Sequence, residues 1–562
     1  MCDSYLYDPA REEAALDITR RTALIGLVAA APLVVTMAEP QRAAAATTQS
    51  EAPTGVLAVQ RWLNSTFGAQ AGWVHVDEDG VAGQGTLAGL VQALQVLLAI
   101  SPVVPAFGPT TAQKLQQHGP VGAETGADAK QWCLVVQGAL ICRGFTSVAL
   151  SGAWDDATTK AVGGLRDALG SVTSGATLTT NLVRALLTVE AIAPVGDGRS
   201  EIVAIQRWLN GAYGETAGAT YCSASGAYDS STRTSLVRAV QLGAGVDPAN
   251  ADGIYGPATA KALRATSASV VGVGAQGAWV RLVKALLLLN GDRVSFDDTF
   301  TQADAGALTA FQQFQALAAE DQTGVCRFPT WAALLVSYGD ADRAVTGADL
   351  AHRLDAGGAQ AVAAAGYTII GRYLTNSTAT GALDKMLTTD EVASIAAAKL
   401  RVWPIFEEGG DELSWFSRAQ GVTDAHRAVA AAEDLGVPKQ TTIYFAVDLD
   451  VTAEQVSSSV TSYFEGIAQG LQDAGDVYKA GVYGSRLVCS RISHAGLAHF
   501  SFVAGMSSGW GGNETEPMPE NWAFNQIQAR PVGAAGTIID IDANVVSGRD
   551  DGVGPQDWNS PR

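Results

Sequence analysis

Apolar residues recur at helical spacing between residues 55 and 340. The segments VLAVQRWLN (56 to 64), CLVVQGALI (133 to 141), EIVAIQRWLN (201 to 210) and VRLVKALLLLN (280 to 290) each place them three or four positions apart. They return with a period of about 70 to 75 residues, so one unit is written four times. Each copy continues through a turn into a Thr- or Ala-led helix, as in DGVAGQGTLAGLVQAL and SGAYDSSTRTSLVRAV. A second helix start follows, as in FGPTTAQKL and YGPATAKAL. Proline suits the first helical turn, where its missing N–H costs nothing. The pattern predicts four all-α three-helix units, over residues 55–120, 128–190, 200–266 and 275–338. Trp62, Leu63, Trp208 and Leu209 fall at core spacing within them.

From about Val345 the period shortens toward two, and strand-like runs alternate with helical ones. Candidate strands are 346–350, 367–374, 401–408, 442–450, 479–485, 502–506, 523–530 and 537–546. Eight strands with helices between most of them, over residues 345–550, predict an α/β TIM-type (β/α)8 barrel. Its last connections are short and Gly-rich, which leaves room for irregularity there. A doubly wound open sheet is the alternative. In a barrel the chemistry sits at the C-terminal strand ends. Those ends carry Asp349, Arg372, Tyr373, Glu407, Glu408, Asp448, Asp450, Tyr483, Gln526, Gln528, Asp540 and Asp542. On the strand TIYFAVDLD (442 to 450) residues two apart share a face, so Asp448 and Asp450 can both face the barrel mouth while Leu449 packs outward. Two carboxylates on one face raise each other's proton affinity, which suits an acid and base pair.

Charge narrows the partners. The 562 residues include 36 Lys and Arg against 56 Asp and Glu, a net charge of −20, so no basic face is available for nucleic acid. Arg20 and Arg21 precede an apolar run and a small-residue stretch, RAAAATT, predicting a twin-arginine-type signal over residues 1–45. That run is shorter than the about 20 apolar residues of a membrane span, and no stable span is expected in the mature form. Cys133 and Cys142 lie nine residues apart on one predicted helix, about 13 Å at 1.5 Å per residue, beyond disulfide reach. No paired His or Cys spacing marks a metal site, and DLDVTAEQ lacks the Gly and distal Glu of a calcium loop, so no cofactor is expected.

The repeats resemble the peptidoglycan-binding domain type 1, through Gln60, Asn64, Asp79-Gly80 and Gly108-Pro109 in the first unit. In the third the matching residues are Gln206, Asn210, Asp252-Gly253 and Gly256-Pro257; the second and fourth units are degenerate. The barrel resembles the glycoside hydrolase-like domain of exported actinobacterial proteins, related to family 25 lysozymes. The pieces that carry this are GAD, IIGRYL, PIFEE, IYFAVDLD, GVYGS, NQIQ and IDIDAN. The resemblance implies catalytic roles for Asp349, Asp448, Asp450 and Asp540, with Asp450 as general acid where the lysozymes carry Glu. Glu407 is a reserve acid. Arg372, Tyr373, Tyr444, Tyr483, Trp510 and Gln526 are candidate sugar contacts, with core packing the alternative for Tyr444 and a buried ion pair the alternative for Arg372. Asp542 and Asn544 are read as caps of the last turn. Two functions follow. One is an exported cell-wall glycan hydrolase of lysozyme or muramidase type, held on peptidoglycan by the repeats. The other is a non-catalytic glycan-binding barrel serving as a wall-associated structural or regulatory module.

Overall fold

The structure is a computed structural model that describes residues 55–377, 383–534 and 537–558; the signal expected over 1–45 lies outside them. The described residues belong to one compact unit, Gly55–Arg562. Its first part is helical. In chain order the helices are α1 (Val56–Phe67), α2 (Gln84–Leu97), α3 (Pro109–His118), α4 (Ala129–Cys142), α5 (Asp156–Leu169) and α6 (Thr180–Thr188). Then come α7 (Ser200–Tyr213), α8 (Ser230–Gly243), α9 (Pro257–Ala265), α10 (Ala278–Leu289), α11 (Gln302–Phe314) and α12 (Phe328–Leu335). Proline opens α3 and α9, and Asp155, Asp229 and Thr301 cap α5, α8 and α11 by accepting a backbone N–H from the first turn.

One polar device recurs at the helix junctions. Gln60 on α1 accepts the Gly80 N–H (2.8 Å) and donates to the Val81 carbonyl (3.1 Å) and the Thr86 hydroxyl of α2 (3.1 Å). Gln137 does the same with Gly152, Ala153 and Thr158, and Gln206 with Gly226, Ala227 and Thr232. Gln95, Gln241 and Gln312 repeat it one junction later, onto Thr111, Thr259 and Thr330. A primary amide offers an acceptor and two donors, so one buried side chain satisfies both backbone groups of a turn that helix geometry leaves unpaired. In the sequence EIVAIQRWLN, therefore, the Gln is a fold lock. At α10 the Gln is replaced by Lys284, fully buried between Asp297 (2.8 Å) and Asp304 (2.9 Å).

The second part is a closed eight-stranded barrel. Its strands are β1 (Gly347–Asp349), β2 (Ile369–Tyr373), β3 (Arg401–Phe406), β4 (Thr442–Ala446), β5 (Lys479–Gly484), β6 (Ser501–Val503), β7 (Trp522–Ala534) and β8 (Thr537–Val546). The outer helices are α13 (Ala356–Ala364), α14 (Thr389–Ala397), α15 (Arg418–Asp434), α16 (Ala453–Gln455), α17 (Thr461–Asp473), α18 (Arg486–His494) and α19 (Gly511–Glu514). Strands β1 to β7 are parallel, whereas β8 runs antiparallel to both β7 and β1. The irregularity foreseen at the end of the barrel is this reversal. Only two residues separate β7 from β8, enough for a hairpin but not for the dozen or more that a parallel crossover needs.

A second correction concerns β4, which ends at Ala446. The Val447 N–H still bonds the Tyr483 carbonyl (2.9 Å), but the Asp448 N–H turns to Gly410 (2.8 Å). Asp448 and Asp450 thus lie in the loop after the strand. Inside, Ile369, Trp403, Tyr444, Phe502 and Phe524 fill the barrel, with Trp403 stacked on Phe524 at 4.0 Å. Below them, Asp550 accepts from the Tyr444 hydroxyl (2.6 Å) and Val553 pairs with Val402, closing the lower end.

The helical part packs along the β6–β7 side of the barrel. The Trp522 indole donates to the Phe314 carbonyl (3.1 Å) and Asn525 to that of Ser337 (3.0 Å). The Arg549 guanidinium lies over both Phe314 and Trp522. Among the described residues no helix is long and apolar enough to cross a membrane, and all five described cysteines are free, Cys133 and Cys142 both on α4.

Candidate functional site

Alternation along the strands decides which side chains reach the barrel mouth. On β2, Ile369 and Tyr373 belong to the interior, so Arg372 between them points outward. It is fully buried there, bonded to Glu391 of α14 through Nε (2.7 Å) and Nη2 (3.1 Å), and to the carbonyls of Leu350 and Lys385. This corrects its reading as a sugar contact: Arg372 ties β2 to α14. Tyr444 points inward but two residues below the end of β4, fully buried on Asp550, so it too belongs to the core. Glu408 likewise turns outward, to Arg427 of α15.

Asp349, Glu407, Asp448 and Asp542 gather at the mouth. Asp349, the last residue of β1, is buried and receives the Gln526 amide on both oxygens (3.0 Å each) and the Asn544 amide (2.7 Å). Burial, then the nearby Asp542 charge, lifts its proton affinity well above the carboxylate range, against the pull of those two amides. Asp542 pairs with Asp349 across the β1–β8 ladder and is pushed up to about 6, by burial and then by Asp540. Beneath them, a side chain at Gly371 would meet the Trp403 Nε1 at 2.7 Å and the Asp349 Cβ at 2.8 Å. Only glycine lets strand, indole and carboxylate approach so closely.

Asp448 is an exposed residue at the mouth, with Glu407, Lys385 and Asp411 as its charged neighbours. Its carboxyl is pushed up to about 7, first by desolvation, then by Glu407 and Asp411, against the opposing effects of Lys385 and the Tyr483 hydroxyl. Tyr483 also donates its hydroxyl to Gln526 (3.0 Å), whose amide nitrogen holds Asp349. Lys385 forms an ion pair with Glu407, and its ammonium sits 4.1 Å from the Tyr373 ring centroid. One ammonium among four carboxyl groups leaves uncompensated charge, which the mouth relieves by keeping protons.

The remaining candidates stand apart. Asp450 is exposed and accepts the Gly511 N–H (3.1 Å); the charges acting on Asp448 come from Glu407, Lys385 and Asp411. Trp510 is half-buried at the start of α19 beside that contact. Asp540 is exposed, paired with Pro531 on the part of the β7–β8 hairpin that rises beyond β1. The residue from this strand that meets Asp349 is therefore Asp542, supported by Asn544, both read from sequence as caps. The IDIDAN alternation carried that signal; Lys385 lies in the irregular segment before Met386 and had none. Among the described residues no cluster of His, Cys, Asp or Glu is arranged to hold a metal ion.

Residues 360–546 match the Rv2525c-like, glycoside hydrolase-like domain, and residues 195–335 the FadG/YbfG, PGDB-like domain. The Tat-secreted protein Rv2525c of Mycobacterium tuberculosis, solved in complex with HEPES, is 19% identical with a TM-score of 0.29, over 35% of this chain and 93% of that one. Two uncharacterised Bacillus subtilis proteins extend across most of the sequence. FadG is 34% identical over 89% of this chain and 85% of its own length, and YbfG 37% identical over 89% and 68%. With a glycoside hydrolase-like barrel preceded by a PGDB-like helical part, and relatives sharing both, the chain belongs to the FadG/YbfG family.

Proposed function

We propose that the barrel mouth hydrolyses a cell-wall glycan, peptidoglycan by a muramidase-type reaction, and that the helical part holds the protein on that polymer after twin-arginine export. The observation that carries the proposal is Asp448, a carboxyl with its pKa pushed up to about 7 beside Glu407, whose own partner is Lys385. A proton donor and a carboxylate on one cleft are what glycoside hydrolysis requires. Asp448 gives its proton to the glycosidic oxygen as the C–O bond breaks, and Glu407 faces the positive charge that develops on the sugar. Water then supplies the hydroxyl to the sugar and returns a proton to Asp448. Asp349 and Asp542 orient water or the 2-substituent, and Tyr373, Tyr483 and Gln526 line the sugar path.

Release of reducing ends from purified peptidoglycan tests this. Asp448→Asn and Glu407→Gln are each expected to lower it at least 100-fold, the usual reach of general acid–base catalysis. No release by the unmodified protein above either variant, with pelleting on the wall retained, favours the second reading, a non-catalytic glycan-binding barrel. One observation supports that second reading: Asp450, which stands where the resembling lysozymes carry their general acid, is engaged by Gly511. Deleting residues 55–340 is expected to abolish pelleting.

A further inference from the structure

Asp450 and the helical part meet at one short segment. After β4, Val447 and Val451 are buried and Leu449 is half-buried against the outer shell, which pins this loop from behind. Asp450 is thereby turned to the β6–β7 connection, where its Oδ2 accepts the Gly511 N–H at 3.1 Å. Three residues on, Glu514 accepts from Ser230 (3.0 Å) and pairs with Arg233 (3.4 Å), both on α8 of the helical part. This pair is 12% and 24% exposed, shielded enough to outlast a fully solvated one.

Between these ties the segment is fixed from below. Buried Asn513 accepts the Arg486 N–H (2.8 Å) and donates to the carbonyls of Ala504 (2.9 Å) and Ser507 (3.0 Å). At Gly512 a side chain would strike the Ser485 Oγ at 2.5 Å. Trp510 immediately precedes these contacts.

We propose that Asp450 is a positioning residue, which with Ser230 and Arg233 of α8 holds the Trp510 segment at the rim of the mouth; this rests on the reading of that mouth as a glycan site. The helical part then belongs to the substrate platform as well as to wall attachment. Asp450 contributes an acceptor oxygen and transfers no proton.

The test separates an acceptor from an acid, because Asn keeps an oxygen that can receive the Gly511 N–H but has no proton to give. In 5-fluorotryptophan-labelled full-length protein, with the Trp510 fluorine line assigned by Trp510→Phe, Asp450→Asn should leave that line in place. Asp450→Ala and Arg233→Ala should each shift or broaden it. Binding of an N-acetylglucosamine hexamer by calorimetry should change less than about twofold in Asp450→Asn and weaken about tenfold in Asp450→Ala, the range of one lost hydrogen bond to a charged group. If Asp450→Asn and Asp450→Ala abolish reducing-end release equally while the Trp510 line stays put in both, Asp450 is an acid and the proposal is overturned. An unmoved line in both Asp450→Ala and Arg233→Ala overturns it as well. The fluorine readout needs no glycan, so it stands even where hydrolysis or hexamer binding is absent.

Discussion

Polar residues serve opposite ends at the helix junctions and at the barrel mouth. In the helical part the junction residues are satisfied: Gln206 gives and accepts three hydrogen bonds at one turn, and Lys284 sits between two carboxylates. At the barrel mouth carboxyl groups crowd one another, and burial raises the proton affinity of three of them. A polar group that the fold satisfies is there for stability; groups held in mutual conflict are retained at a cost to stability and point to chemistry. The repeated Gln of the helical units, one of the residues that carry their resemblance to the peptidoglycan-binding domain, belongs by its bonds to the first class.

This contrast can be broken by experiment. The largest effect is expected from Lys284→Ala, which strands Asp304 in the core and should lower unfolding free energy by about 3–5 kcal/mol in urea titrations. A loss below about 1 kcal/mol would mean that the pair is solvated. Gln206→Ala leaves a turn N–H and carbonyl unpaired and should cost about 1–3 kcal/mol. Asp448→Asn should act in the other direction and more weakly. Because the folded carboxyl titrates near 7 and an unfolded one near 4, the native state binds the extra proton between those values. Stability contributed by that proton is full below about pH 4 and lost as pH rises through about 7. Asp448→Asn should therefore raise the melting temperature at pH 8, leave it nearly unchanged at pH 4, and flatten the pH dependence between. A lowered melting temperature at pH 8 would place Asp448 among the satisfied groups.

Much of the fold was legible because periodicity reports which face is buried. The strands around Ile369, Trp403, Tyr444 and Tyr483 were read from alternation, and the structure has strands there. What alternation does not carry is direction or length. The same IDIDAN pattern fits a parallel or an antiparallel β8, yet only the second, with its ladder from Asp349 to Asp542, makes Asp542 the partner. Likewise TIYFAVDLD alternates through Asp450, but the ladder stops at Ala446 once Gly410 captures the Asp448 N–H. Arg372 was ambiguous for a different reason: its buried partner Glu391 is nineteen positions away on α14, a pairing that no local pattern records.

The reversed β8 also sets where the barrel is joined to everything else. Because β8 descends from the mouth, Val546 finishes beside Gly347, where β1 begins. Entry and exit share the face opposite the carboxylates, so neither connecting segment has to cross the opening. A barrel wired this way can be lengthened after β8 without any added chain crossing the carboxylate rim.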